Sequence, residues 1–97
     1  MKLSPRESEL LEDANIFEHP VRCQIVELLA EQPMHINALS RALGEERGLV
    51  GYHLSTLQEH GFVTSKYKIF FLLEQRGIAL RLYTVTDKVA AAKAKSG

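Results

Sequence analysis

Apolar positions recur at three- and four-residue spacing through most of the chain and give way to alternation near its end. Ser4-Pro5-Arg6-Glu7 is a helix start: Ser4 can cap, Pro5 suits the first helical position and Glu7 can close a capping box. Leu10, Ala14 and Phe17, with Leu11 alongside, give this first helix an apolar face, and it ends near His19-Pro20. Pro20 opens a second helix whose stripe is Val21, Ile25, Leu28 and Leu29, widened by Val26 and closed by Gln32-Pro33. A short third helix, capped by Asn37, turns Ile36, Leu39, Ala42 and Leu43 inward and stops at a left-handed Gly44. A fourth begins after Glu45-Glu46, buries Val50, Leu54 and Leu57 on one face and runs to about His60, with Gly61 as its stop.

The period then falls to two. Phe62 to Leu73 is rich in β-branched and aromatic residues and predicts a strand, and Glu74-Gln75-Arg76-Gly77 predicts a turn. Ala79 to Val85 sets Leu80, Leu82 and Thr84 against Arg81, Tyr83 and Val85, the pattern of a half-buried strand. Thr86-Asp87 can cap a last helix. The expected fold is therefore mainly α with a small antiparallel β-hairpin (α+β), in the order α-α-α-α-β-β-α. The third and fourth helices with their tight turn make a helix-turn-helix, and the hairpin after them is a wing. Residues 1–18 are read as an N-terminal dimerisation helix, 19–86 as the winged helix-turn-helix, and 87–97 as a C-terminal helix that also serves dimerisation.

Ninety-seven residues allow one domain and leave no room for a separate catalytic one. Twelve basic and twelve acidic side chains cancel, so any case for nucleic acid rests on where the charges lie. Glu7, Glu9, Glu12, Asp13 and Glu18 gather early, while Arg41, Arg47, Lys66, Lys68, Arg76 and Arg81 surround the predicted fourth helix and wing. A lone cysteine, Cys23, excludes an intrachain disulfide and fits a cytoplasmic protein. The opening residues are too polar for a signal peptide, and no apolar run approaches a membrane span. With no glycine-rich phosphate loop, metal quartet or nucleophile–histidine–acid set, the chain reads as neither an enzyme nor a cofactor or metal protein.

The stretches HPVRCQIVELLAEQP, INALSRALGEERGLVGYHLSTLQEHGFV and RLYTVTD, running from His19 to Asp87, resemble the ArsR-type winged-helix repressors. The HPVR opening and the YHLSTLQEHGFV block carry the specific part of the likeness. The resemblance implies a DNA-binding homodimer. It does not imply metal sensing, because Met34 to Leu43 has no cysteine and the last helix has Asp87 without a histidine. The wing is longer and more apolar than usual in that family, with Ile69-Phe70-Phe71-Leu72-Leu73 near its tip.

A recognition helix over about 47–60 enters the major groove by its N-terminal part. The residues expected to meet DNA are Arg41, Arg47, Gly48, Gly51, Tyr52, His53, Ser55 and Thr56, with Lys66, Lys68 and Arg76 from a wing over about 62–85 on the backbone or minor groove. Gly48 and Gly51 each cost a helix roughly 1 kcal/mol against alanine, which close approach to DNA would justify; the plainer reading is drift on a packed helix. The wing cations read equally as solvated surface charge, and Glu45 and Glu46 would repel phosphates. His19 and Cys23, four apart, would form half a metal site; the plainer reading makes Cys23 a small hydrophobe. Leu3, Leu10, Leu11, Ala14 and Phe17, with Val89 and Ala92, are read as a two-fold interface. A small effector between the dimer helices and the wing stays open, with no residue naming a ligand. The other reading of the chain is a protein-interaction module that uses the apolar wing segment 69–73.

Overall fold

Pro20 has no N–H to leave unpaired, and helix α1 (Pro20–Glu31) begins on it after an extended His19. The computed structural model describes residues 15–71 and 77–90. Helix α1 turns Ile25, Val26 and Leu29 into the core and leaves Val21 and Leu28 half-buried against it. Helix α2 (Ile36–Leu43) buries Leu39 and ends on Gly44 at φ 66°, the left-handed position where a Cβ is costly. Its N-terminus corrects the expectation at Asn37: His35 is the cap, its Nδ1 accepting from the Asn37 N–H at 3.1 Å. Ala42, expected inward, is exposed. Helix α3 (Arg47–Glu59) buries Val50, Leu54 and Leu57 as the spacing predicts, and also His53.

Gly61, at φ 79°, turns the chain out of α3, and the Phe62 N–H donates to the Leu57 carbonyl at 2.9 Å. Carbonyls at this helix end are taken by residues 86–88. Lys88 Nζ donates to His60 O and Thr86 Oγ1 to Gly61 O, both at 2.6 Å. Strands β1 (Val63–Phe71) and β2 (Gly77–Val85) pair antiparallel from Val63 opposite Val85 to Phe71 opposite Gly77. Gly77, expected in the turn, is the first residue of β2. Met34 forms a bridge on the other edge of β2, exchanging both backbone hydrogen bonds with Tyr83 at 2.9 and 3.1 Å. One residue of pairing carries no periodicity, so the sequence gives no sign of it.

One core joins the described segments: Ile16, Ile25, Val26, Leu29, Leu39, Val50, Leu54, Leu57, Phe62, Val63, Tyr83 and Val89. Two side chains expected at a dimer interface are engaged within the protomer. Phe17 packs edge-on against Phe62 at 4.7 Å between ring centroids, and Val89 is buried in the core. Leu3, Leu10, Leu11, Ala14 and Ala92 lie outside the described residues, as does Arg76.

Candidate nucleic-acid interface

A helix that anchors one side in a core must show the other to its surroundings. With Val50, His53, Leu54 and Leu57 on the underside of α3, Arg47, Gly48, Tyr52 and Ser55 form its exposed ridge; Tyr52 is 61% exposed. Thr56 is half-buried, and its hydroxyl donates to the Tyr52 carbonyl at 3.2 Å. Space around the two glycines separates their roles. A Cβ at Gly48 would meet nothing within 4 Å, whereas one at Gly51 would touch Ile36 Cδ1 at 3.4 Å. Gly51 thus faces α2 across the helix-turn-helix and leaves the exposed set. Gly48 stands open at the start of the ridge.

His53 is the clearest correction. It was expected to face DNA, yet it is 1% exposed and lies beneath Tyr52 rather than beside it. Arg22, from the first turn of α1, donates its Nε–H to His53 Nδ1 at 2.9 Å, and the His19 ring lies 4.3 Å from the His53 ring. An acceptor Nδ1 fixes the neutral tautomer with its proton on Nε2, and that buried atom has no partner among the described residues. Burial holds the imidazole pKa below its usual 6.5, and the neighbouring His19 and Arg22 lower it further. The Arg22 guanidinium also reaches to 5.9 Å from the Tyr52 ring centroid, so one side chain braces both the underside and the ridge of α3. Arg22 was missed as a functional residue. The Pro-x-Arg run held the signal, but not the arginine's partner.

The hairpin packs against α3. Lys66 and Lys68 are exposed on β1, and Arg41 is exposed in the last turn of α2. Arg81 fixes the hairpin to α3, donating through Nε to Ser65 Oγ at 2.9 Å and through Nη2 to Gln58 Oε1 at 3.2 Å, with its guanidinium 5.0 Å from the Tyr83 ring centroid. Neither strand contains a carboxylate, so their three cations are unopposed within the pair. Glu46 is the exposed N-cap residue of α3 and makes no capping hydrogen bond through its side chain. Cys23 is half-buried, with Sγ donating to the Phe17 carbonyl at 2.8 Å. No group of three or more metal-ligating side chains occurs among the described residues. A shallow cleft of about 310 Å³ between α1 and α2 is lined by Gln24, Glu27, Leu28, Glu31, Ala42 and Leu43. No described helix is long and apolar enough to cross a membrane.

Residues 19–65 match the family described as bacterial regulatory protein, arsR family. No curated protein matches the chain in sequence. Among solved structures, Rv0081 of M. tuberculosis aligns with a TM-score of 0.76 at 22% identity, over 97% of this chain and 87% of that one. HlyU of Vibrio cholerae aligns at 0.72 and 18% identity, over 95% and 92%. The homodimeric winged helix-turn-helix DNA-binding domain of Mb0332 from Mycobacterium bovis, a possible ArsR-family transcriptional regulator, aligns at 0.69 and 20% identity, over 99% and 85%. These likenesses establish the winged helix-turn-helix fold, and the match to the arsR family of bacterial regulatory proteins extends over residues 19–65, from the start of α1 into β1.

Proposed function

We propose that the protein is a sequence-specific double-stranded DNA-binding transcriptional regulator acting as a homodimer. The ridge of α3 enters the major groove, and the hairpin lies along the backbone or minor groove. One observation carries this reading: the exposed Arg47, Gly48, Tyr52 and Ser55 lie on a helix that Arg81 ties, through Gln58, to a hairpin whose strands carry only cations in a chain of zero net charge. Arg47, at the first turn of the helix, suits a guanine edge or a phosphate. Arg41, Lys66 and Lys68 suit phosphates, which position a protein without reading sequence.

Pairing through the residues before 15 and after 90 fits their apolar pattern, and the similar Mb0332 domain is homodimeric. Two α3 helices would then lie about 34 Å apart, one turn of DNA. The test is selection of bound duplexes from a random library with the full chain. A recovered motif with two half-sites about ten base pairs apart is expected. Arg47→Ala should relax the preference at one position in each half-site. Recovery of no motif, with no binding at low salt, would leave the interaction-module reading in its place.

A further inference from the structure

The hairpin shows more apolar surface than its anchorage needs. In a regular antiparallel pair, directly opposed residues share a face. The face that begins with Val63, Val85 and Tyr83 in the core continues outward as Tyr67, Ile69 and Phe71, which are 72%, 59% and 75% exposed. Arg81, opposite Tyr67 on that same face, is the residue that reaches Gln58 on α3. The apolar row therefore lies on the face of the hairpin that Arg81 ties to α3. Lys66 and Lys68 alternate with it on the other face, which they share with the exposed Phe70 and Ile78, and no carboxylate interrupts either strand. A row of aromatic and aliphatic side chains on strands whose only charged groups are cations is complementary to a ligand whose apolar, stackable faces lie behind an anionic rail. Duplex DNA is such a ligand.

We propose that Tyr67, Ile69 and Phe71 act as an apolar wedge that enters the minor groove and opens a base step, with Lys66 and Lys68 held on the flanking phosphates. The proposal rests on the DNA-binding reading above. The minor groove is roughly 6 Å wide, so it admits side chains from the hairpin and not the hairpin itself. Apolar insertion of this kind partly unstacks a step and kinks the duplex by roughly 20–90°. Pyrimidine–purine steps unstack most easily, so the sites preferred by this protein should carry one where the wing meets the groove. The wing would then contribute to specificity through deformability, with no hydrogen bond to a base.

The experiment uses the full chain and a duplex recovered from the random library, labelled at both ends for energy transfer. The wild-type protein should shorten the end-to-end distance. Ile69→Ser/Phe71→Ser changes exposed side chains; it should leave the duplex straight and weaken binding about tenfold, with the thermal midpoint unchanged. Lys66→Ala/Lys68→Ala should keep the bend while the salt dependence of binding flattens by about two phosphates. A duplex that stays straight with wild type, or bends equally with the serine variant, overturns the wedge but leaves the DNA-binding reading standing. A wild-type assembly larger than a dimer that the serine variant dissolves also overturns it, because the row is then a contact between copies. Absence of any DNA binding at low salt removes the reading beneath it.

Discussion

His53 shows how one side chain can be read correctly as polar and still be placed wrongly. It lies within a stretch of otherwise exposed chemistry, yet it points down, and the group that makes its burial tolerable is Arg22, 31 positions away. Periodicity reports which positions are apolar; it does not report which polar position has a distant partner. Gly51 is a similar case, since its small size is explained by Ile36 across the turn. Arg47, Tyr52 and Ser55 were legible because three regularly spaced apolar anchors fix the opposite face of the helix. The buried imidazole also makes stability depend on pH. Its folded pKa lies below the unfolded 6.5, so the unfolded chain binds the proton more readily. The stability tied to neutral His53 is complete above pH 6.5 and is lost as pH falls from there toward the lowered value. Urea midpoints measured between pH 7.5 and 5 should fall for the wild type, and His53→Gln should flatten that fall. Arg22→Ala removes the donor to a buried nitrogen and should cost about 1–3 kcal/mol at pH 7.5 by the same measurement; an unchanged midpoint would mean the brace contributes nothing.

Helix boundaries were read from caps and glycines, and these succeeded where the backbone itself dictates the residue. Gly44 is left-handed with open space around it, so Gly44→Ala should lose about 1–2 kcal/mol in thermal or urea unfolding through conformation alone. Gly48 has ordinary helical backbone and equal space. Gly48→Ala should therefore raise the melting temperature, by up to about 1 kcal/mol of stability, while weakening DNA binding if its backbone approaches the duplex. Tighter or unchanged binding by the alanine variant would return Gly48 to a merely tolerated residue. Glu46 presents the opposite compromise at the start of α3. Its charge suits the helix dipole but stands exposed next to Arg47 in sequence. Glu46→Gln should lower stability by about 0.3–1 kcal/mol and tighten DNA binding at low salt, an effect that titration at raised salt should erase. The cap at His35 and the bridge at Met34 were not legible. Each depends on a single residue whose neighbours in sequence give no pattern.

Across the described residues, Ile16 and Val89 bring the segments on either side of the winged helix into one core, so both contribute to its stability. The charges are arranged on the same plan. Glu27 and Glu31 border the α1–α2 cleft, while the strands of the hairpin carry cations alone. The proposed DNA surface thereby draws on strands free of carboxylates in a chain of zero net charge. Amide chemical shifts of the isotope-labelled chain, followed while a duplex carrying the selected motif is added, locate that face residue by residue. The expected outcome is perturbation concentrated at Arg47, Gly48, Tyr52, Ser55, Lys66 and Lys68, with Glu27 and Glu31 silent. Shifts confined to the α1–α2 cleft, or a spectrum that does not change at low salt, would contradict a DNA-reading surface on α3.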